Sequence, residues 1–319
     1  MWLKLRLYLV MAFMFAIVYG LVAFVANYAG ISGFFFYGVL ATGMMLFQYM
    51  IGPKMVEWQM GVRYVSEQEY PALHRMVTEL ARDAGIPKPR IGIARMPIPN
   101  AFAFGRWATD GRICVTEGIM NLLNEKELRA VLGHEMSHLK NKDVAVITMI
   151  SVIPMICWYL AWNQLFSGDR ERGNGVLIGI VAFIVYLITN LLVLYVSRIR
   201  EYYADEGAVK LGNSPHHLAS ALYKLVYGSA RVSKDALKSV EGMKAFFAND
   251  PSRASSEIRE LSQIDLDGSG TIDINELMAL RTRPVKVKTS DKLMEMLSTH
   301  PNMLKRIQRL SSLQGISAY

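Results

Sequence analysis

The residues best suited to chemistry lie in the segment His134-Glu135-Met-Ser-His138. Histidines four residues apart lie one helical turn apart on the same face, so both imidazoles can bind one zinc ion. Glu135 follows the first histidine, where its carboxylate can take a proton from water and pass it to a leaving amine. This short pattern arises by chance in roughly one per cent of long chains. The segment predicts a zinc centre with Glu135 as its general base.

A catalytic zinc ion usually has three protein ligands and an open fourth position. The best candidate for the third ligand is Glu201, in the segment Arg198-Ile-Arg-Glu-Tyr-Tyr-Ala-Asp205. Asp205 comes four residues later on the same helical face, where it can accept the second N–H of a ligating imidazole and fix its tautomer. The alternative is an amphipathic helix with solvated charges. The histidine motif favours the ligand interpretation.

Local signals predict the elements that must position these residues. Asn124 and Glu127 have the spacing of a capping box, and the residues that follow repeat at helical spacing, which predicts a helix around the histidine motif. A second box, Ser66 with Glu69, predicts a helix that ends at Gly85. Short strands are predicted over three segments, Arg90–Ala94, Asn100–Gly105 and Arg112–Thr116, with Asp110-Gly111 as a hairpin turn.

Four uncharged apolar runs are long enough to cross a bilayer as helices, since about 20 residues span its hydrocarbon layer. The runs are Leu7–Tyr28, Ile31–Ile51, Val144–Phe166 and Val176–Ser197. Only 19% of the residues are charged, against about a quarter in soluble chains. For the later pair, the alternative is two long buried helices of a soluble core. The composition favours four transmembrane helices in a cell membrane.

Charge sets the predicted orientation and excludes one class of partner. The chain has 35 Lys and Arg against 27 Asp and Glu, a net charge of +8. Basic residues cluster beside the ends of the apolar runs on one side: Lys4, Arg6, Lys54, Lys140, Lys142, Arg198 and Arg200. By the positive-inside rule, both termini and both large polar segments lie in the cytosol. The basic excess therefore indicates a lipid bilayer, and no nucleic acid, as partner.

The predicted fold class is mainly α with a small β-sheet (α+β). Residues 1–53 form a transmembrane hairpin and residues 54–143 the first part of a polar domain. Residues 144–197 form a second hairpin, and residues 198–319 the rest of the polar domain. Because neither polar segment is complete alone, the two must meet in space.

Together these motifs resemble peptidase family M48, and within it the HtpX branch of integral-membrane zinc endopeptidases. The likeness combines the histidine motif with Glu201-x-x-x-Asp205 after two spans. Asn100-Ala101-Phe102-Ala103 resembles the family's Asn-Ala-Phe-Ala segment, and Thr299-His300-Pro301 its C-terminal Thr-His-Pro motif. Asn302 stands where the family often has a second proline, which affects the local turn and not the metal site. The resemblance extends from the first pair of runs to about Leu310.

The resemblance implies a zincin domain of the gluzincin type, with two histidines and one glutamate on zinc at the cytosolic membrane face. It implies cleavage of misfolded or damaged membrane proteins, which are the expected polypeptide substrates. Residues 100–103 would form the edge strand along which an extended substrate pairs. His300 would lie near the site and stabilise the oxyanion of the tetrahedral intermediate; the alternative is a structural histidine at a helix start.

A second metal motif stands apart from the first. Residues 265–276 match the twelve-residue loop of an EF-hand, within an insert at about 255–285. The predicted calcium ligands are Asp265, Asp267, Ser269, the Thr271 carbonyl, Asp273 and Glu276, with Gly270 at the sharp turn. The flanking helices are predicted over Glu257–Ile264 and Glu276–Thr282. Calcium is therefore a second candidate cofactor, and the hypothesis is that its binding modulates access to the zinc; the alternative is a structural insert with no regulatory effect.

Two rival functions and one assembly question stay open at this point. The first rival is a catalytically idle, calcium-responsive membrane scaffold, and the second is a prenyl-peptide processing protease of the same clan. That protease branch has more spans than the four counted here. EF-hands usually occur in pairs, and this single loop could pair with a second copy of the chain, so an oligomer remains open.

Overall fold

The computed structural model describes residues 34–166, 175–231, 254–282 and 294–314. Contacts divide the chain into two compact units. The first consists of Met1–Gly52 and Ala145–Ile199, and the second of Pro53–Val144 and Arg200–Tyr319. The described elements are mostly helices, with one small sheet, which confirms the mainly α fold class with a small sheet.

Helices and strands are mixed along the first half of the chain. In order they are α1 (Phe34–Gln59), β1 (Val62–Tyr64), α2 (Pro71–Ala84), β2 (Arg90–Ala94), β3 (Ala101–Phe104), β4 (Arg112–Thr116), α3 (Glu117–Leu122) and α4 (Glu125–Lys140). Helices dominate the rest: α5 (Asp143–Phe166), α6 (Gly175–Lys210), α7 (Pro215–Ala230), α8 (Ala254–Leu261), α9 (Ile274–Thr282) and α10 (Met303–Leu313).

The sheet is mixed, with strand order β1-β2-β4-β3. β2 and β4 run parallel in the middle, and β1 and β3 flank them antiparallel at the two edges. One face, with Ile93 and Ile113, packs into the main core beneath α2 and α4. The other face, with Phe102 and Phe104, packs with Val56 of α1. The sheet is thus covered on both faces, and β3 is left at an edge.

Two local predictions were wrong in detail. The reciprocal bonds between Ser66 and Glu69 form, but they close a turn before α2, which begins at Pro71. Proline suits a first helical position because the missing N–H would have no partner there. The connection between β3 and β4 is a longer loop with a 3-10 turn at Ala108–Asp110, because Arg106 bonds Asp110 across it at 2.6 Å. Gly85 ends α2 with φ of 70°, as predicted.

In the described residues two helices, not the predicted four, are identified as long and apolar enough to cross a membrane. They are Asp143–Trp162 and Gly175–Lys210, over the third and fourth predicted runs. The first run, Leu7–Tyr28, lies outside the described residues, and α1 covers most of the second. Ile153 of α5 packs against Val196 of α6. Many of their large apolar side chains are exposed: Met155, Trp158, Tyr159, Trp162, Val176, Leu177, Ile180, Phe183, Ile184, Leu187 and Ile188.

Candidate metal centre

The helix that carries the histidine motif is fixed at its start by the predicted capping box. The Glu127 N–H donates to Asn124 Oδ1 at 2.9 Å, and the Asn124 N–H donates to Glu127 Oε2 at 3.0 Å. Glu127 is itself buried and accepts hydrogen bonds from Ser220 and Lys224 of α7. Because α4 is bonded to α7 at its first turn, the position of the motif about two turns later is set by tertiary contacts as well as by the cap.

Three donor groups predicted to bind one metal ion meet in the second unit. His134 Nε2 lies 3.5 Å from Glu201 Oε2, and His138 Nε2 lies 3.4 Å from Glu201 Oε1. The two Nε2 atoms are 3.1 Å apart. Helix α6 continues past the predicted end of its apolar run, and that continuation carries Glu201 to the histidines.

In each histidine, the second ring nitrogen lies within hydrogen-bond distance of a carboxylate. His134 Nδ1 lies 2.9 Å from Asp205 Oδ1, as the sequence predicts. His138 Nδ1 lies 2.6 Å from Asp143 Oδ2, a contact that the sequence analysis missed. A carboxylate at Nδ1 favours the tautomer with its hydrogen there, so the lone pair lies on Nε2. Both Nε2 lone pairs are then directed at the space next to Glu201.

This donor set fits a zinc ion. Two imidazole acceptors 3.1 Å apart cannot bond one another when both hydrogens are on Nδ1. A tetrahedral zinc with Zn–N bonds of about 2.0–2.1 Å separates two nitrogens by roughly 3.3 Å. Two imidazoles and one carboxylate also form the ligand set typical of catalytic zinc. The residues present can therefore hold the ion without rearrangement of the helices.

Glu135 lies next to the donors and is almost completely buried. Burial raises the pKa of its carboxyl above the ordinary value, while the neighbouring imidazoles of His134 and His138 act in the opposite direction. A carboxylate with a raised pKa is a better proton acceptor near neutral pH. The position and environment of Glu135 therefore suit a general base.

Two further groups from the C-terminal part lie beside the Glu201 carboxylate. His300 Nδ1 lies 3.5 Å from Glu201 Oε2, so the Thr-His-Pro segment does reach the site. Arg306, to which the sequence analysis gave no role, is fully buried and lies 3.1 Å from the same oxygen. Arg306 also forms two bonds with Asp205, of 2.9 and 2.6 Å. One guanidinium thus contacts both the Glu201 carboxylate and the Asp205 carboxylate.

Known proteins with similar sequences decide the family. The sequence profile of peptidase family M48 matches residues 67–314. The protease HtpX homolog of Methanothermobacter thermautotrophicus is 55% identical over 224 residues, covering 70% of this chain and 86% of the relative. The protease HtpX homolog 2 of Methanosarcina mazei is 36% identical over 309 residues, covering 95% and 92%.

The chain belongs to peptidase family M48. The crystal structure of S. mikatae Ste24p has a similar fold, with a TM-score of 0.50 at 15% identity. That match covers 96% of this chain and 64% of the Ste24p chain, so this M48 chain spans just under two thirds of that length. A likeness at this identity concerns the fold alone.

In this M48 peptidase the predicted substrate strand is shorter than expected. β3 begins at Ala101, and Asn100 lies just before it with no exposed surface. The Thr116 N–H donates to the Asn100 carbonyl at 2.9 Å. Because bonded pairs alternate along an antiparallel ladder, Phe102 also bonds β4, and the backbone of Ala103 is directed at the free edge. Ala101 and Phe102 are buried, and Ala103 is half-buried.

The predicted calcium ligands lie close together in part. Asp265, Asp267 and Glu276 each offer an oxygen within 4.8 Å of the others. Asp273 instead accepts the Glu276 N–H at 2.8 Å and caps α9, while the Ser269 hydroxyl lies 3.0 Å from that of Thr271. The flanking helices are shorter or shifted relative to prediction, with α8 ending at Leu261 and α9 beginning at Ile274.

Three functional candidates were missed: Asp143, Arg200 and the role of Arg306. Asp143 follows His138 by five residues, a spacing at which a regular helix would not bring the two side chains together. The helix ends at Lys140, and Lys142 has φ of 56°. That left-handed residue reverses the chain and brings Asp143 back to His138. The signal available in the sequence was a charged residue shortly after the end of the helix that carries the histidines.

Proposed function

We propose that this M48 peptidase is a zinc-dependent membrane endopeptidase that hydrolyses peptide bonds in membrane or misfolded proteins at the cytosolic face. The observation that carries the proposal is the convergence of His134, His138 and Glu201 in one cluster, in which His134 and Glu201 are buried and His138 is partly buried. Each imidazole has a carboxylate behind it, an arrangement typical of a metal centre.

The chain's own residues divide the chemistry among them. His134, His138 and Glu201 would hold zinc, which when bound supplies Lewis-acid activation of water and of the scissile carbonyl. Glu135 takes the proton of the attacking water and delivers it to the leaving amine. His300 stands beside the ligand carboxylate and would donate to the developing oxyanion. Arg306 contacts Glu201 and Asp205 and stabilises the charged form of each carboxylate.

An extended substrate would add to the sheet at β3. Support comes from the position of β3 at the sheet edge and from its packing against α4, which carries Glu135. The backbone of Ala103, not the buried side chain of Asn100, would make the contact. Binding at the sheet edge would allow cleavage of many substrate sequences, since main-chain hydrogen bonds give affinity regardless of the substrate's side chains.

The membrane placement is part of the proposal. Four spans would form two hairpins, with both termini and a protease domain assembled from two chain segments in the cytosol. Support comes from the exposed apolar side chains of α5 and α6, because so much apolar surface is unfavourable in contact with water. It also comes from the basic residues beside the apolar runs, such as Lys54 and Arg198.

Calcium at residues 265–276 would modulate the zinc site through packing. Tyr223 of α7 donates to Asp265 at 2.7 Å, which bonds the first loop position to the helix that anchors α4. Asn302, at the start of α10, donates to Glu260 of α8 at 2.8 Å. Since α10 carries Arg306, ordering of the loop can reach Glu201 through two helices.

Metal analysis of the purified full-length chain followed by casein digestion tests the proposal. We expect about one zinc per chain, loss of digestion with a zinc chelator, and recovery on zinc add-back. A chain that carries zinc but cuts only a prenylated peptide would support the clan's prenyl-processing activity. A chain without zinc or any cleavage would leave the calcium-responsive scaffold and refute the peptidase.

A further inference from the structure

The second imidazole of the site has a carboxylate partner that no motif indicated. His138 Nδ1 lies 2.6 Å from Asp143 Oδ2. Asp143 is the first residue of α5 and is 6% exposed, so its carboxylate is held away from water. A buried carboxylate keeps its charge only with partners.

Arg200 supplies that partner from α6. Its guanidinium forms an ion pair with Asp143 Oδ1, and its Nη2 donates to the Asn141 carbonyl at 3.0 Å. Arg200 is 7% exposed and directly precedes Glu201 in the chain. The same residue pair therefore joins the chain turn after α4, the start of α5 and the helix that carries the third metal ligand.

The arrangement repeats the one at the first histidine. There, His134 Nδ1 contacts Asp205, and Asp205 is held by Arg306. Here, His138 Nδ1 contacts Asp143, and Asp143 is held by Arg200. In each case an arginine fixes a carboxylate that fixes an imidazole. Carboxylates in this position orient the ring, set its tautomer and raise its basicity toward a metal.

We propose that Asp143, held by Arg200, is a positioning residue of the metal centre that directs the Nε2 lone pair of His138 at the metal. The proposal rests on the zinc site proposed above. This role differs from one in which Asp143 only caps the start of α5. Asparagine caps helices as well as aspartate does, but it lacks the charge that raises imidazole basicity.

Zinc affinity of the full-length chain, measured by competition with a chromophoric chelator, tests this inference. We expect Asp143→Asn to weaken zinc binding about 10–100-fold, and the metal-free chain to unfold at a lower temperature because Arg200 loses its buried counter-charge. Arg200→Gln should weaken zinc binding to a similar extent, whereas Arg200→Lys should retain most of the parental affinity. The Asp143→Asn/Arg200→Gln double variant should bind zinc no more weakly than the weaker-binding single variant. Cobalt substitution should show an altered d–d absorption spectrum for Asp143→Asn.

Glu206→Gln is the matched control, because Glu206 lies on the same helix as Arg200 but bonds Lys210 at 2.8 Å. It should bind zinc as the parent does. Parental zinc affinity in both Asp143→Asn and Arg200→Gln would overturn the inference, and so would additive losses in the double variant. His138→Ala separates this outcome from failure of the zinc site itself: if that variant also keeps zinc, the proposed function fails.

Discussion

At the scale of single residues, the centre is a set of buried charges that are stable only together. Glu201 and Asp205 carry two negative charges in a site with almost no exposed surface, and Arg306 contacts both. Among the described residues, Glu135 has no arginine or lysine at ion-pair distance, and burial raises the pKa of its carboxyl. This difference supports the proposal in which Glu201 and Asp205 hold position and Glu135 moves a proton.

Glu135→Gln should abolish proteolysis while zinc stays bound. The amide keeps the size of the side chain but cannot take the proton of the attacking water, so the rate should fall at least about 10²–10⁴-fold. Casein digestion and zinc content measure the two effects. Glu117→Gln, at an exposed glutamate in the first turn of α3, is the control and should keep both. Full activity of Glu135→Gln would refute its assignment as the base.

Arg306→Met should destabilise the fold and weaken zinc binding. Removal of the buried guanidinium leaves two carboxylates without a counter-charge, which costs about 3–5 kcal/mol. Denaturant unfolding in detergent measures the loss. Arg309→Met, one turn later on α10 and partly exposed beside Glu206, should cost less than about 1 kcal/mol. Equal losses in the two variants would show that Arg306 has no special part in the site.

At the scale of elements, close contact between α4 and α6 brings Glu201 to the histidines. A Cβ at Gly207 would lie 2.1 Å from Ser137 Oγ and 2.8 Å from Ser137 Cβ. A Cβ at Gly133 would lie 2.4 Å from Asn213 Nδ2. Two glycines thus permit an approach that larger residues would prevent. The sheet contributes the other element, the edge strand β3 packed against α4.

Gly207→Ala should separate α4 from α6 and move Glu201 from the imidazoles. The Ser137 hydroxyl can rotate away, but its Cβ cannot, so we expect overpacking of about 1–3 kcal/mol and weaker zinc binding. Chelator competition and thermal unfolding measure both. Gly52→Ala is the control, because a Cβ there meets nothing within 4 Å. Adding Ser137→Gly to Gly207→Ala should recover zinc affinity. No recovery would show that the contact between residues 137 and 207 is not the cause of the loss.

Ala103→Pro should raise KM for an extended peptide without loss of zinc or stability. Proline removes the N–H that is directed at the free edge of β3, and proline is tolerated on edge strands. Peptide kinetics, with zinc content as a check, measure the change. Ala103→Val retains the N–H and should keep the parental KM. An unchanged KM in Ala103→Pro would place substrate pairing elsewhere.

At the scale of the whole molecule, the segment with the predicted calcium loop is part of the core and not an appended tail. Ile272 and Leu277 are buried in the same cluster as residues of α4, α7 and α10. Helix α9 packs against α10, and α8 packs against α7. A change in this segment therefore acts on the helices that support the metal centre.

Calcium at fixed free zinc should change both stability and proteolysis. A ligand that binds only the folded state at 100 times its Kd stabilises by about 2.7 kcal/mol, so the melting temperature should rise with calcium. Glu276→Gln should remove this response, because it weakens the bidentate ligand at the last loop position. Asn275→Ala, at an exposed non-ligand position, should keep it. Unchanged proteolysis across a calcium titration would reject regulation.

The sequence by itself determined the local chemistry and the elements that carry it. The histidine spacing, the Asn124 capping box and the apolar runs act over a few turns, where periodicity and capping are decisive. Glu201 and Asp205 could be proposed because four-residue spacing defines one helical face. Two shifted predictions, the start of α2 and the loop before β4, concern ends of elements, where several capping and turn solutions compete.

Only the tertiary structure decided which distant charges complete the site. Arg306 lies more than a hundred residues from Asp205, and Arg200 lies 59 residues from its Asn141 partner. Such pairs depend on how the helices pack, because a buried carboxylate stays charged only beside a cation that the fold places at contact distance. The turn at Lys142 that aims Asp143 at His138 likewise depends on where α5 must begin. Local patterns identify the ligands, and packing selects the groups that hold them.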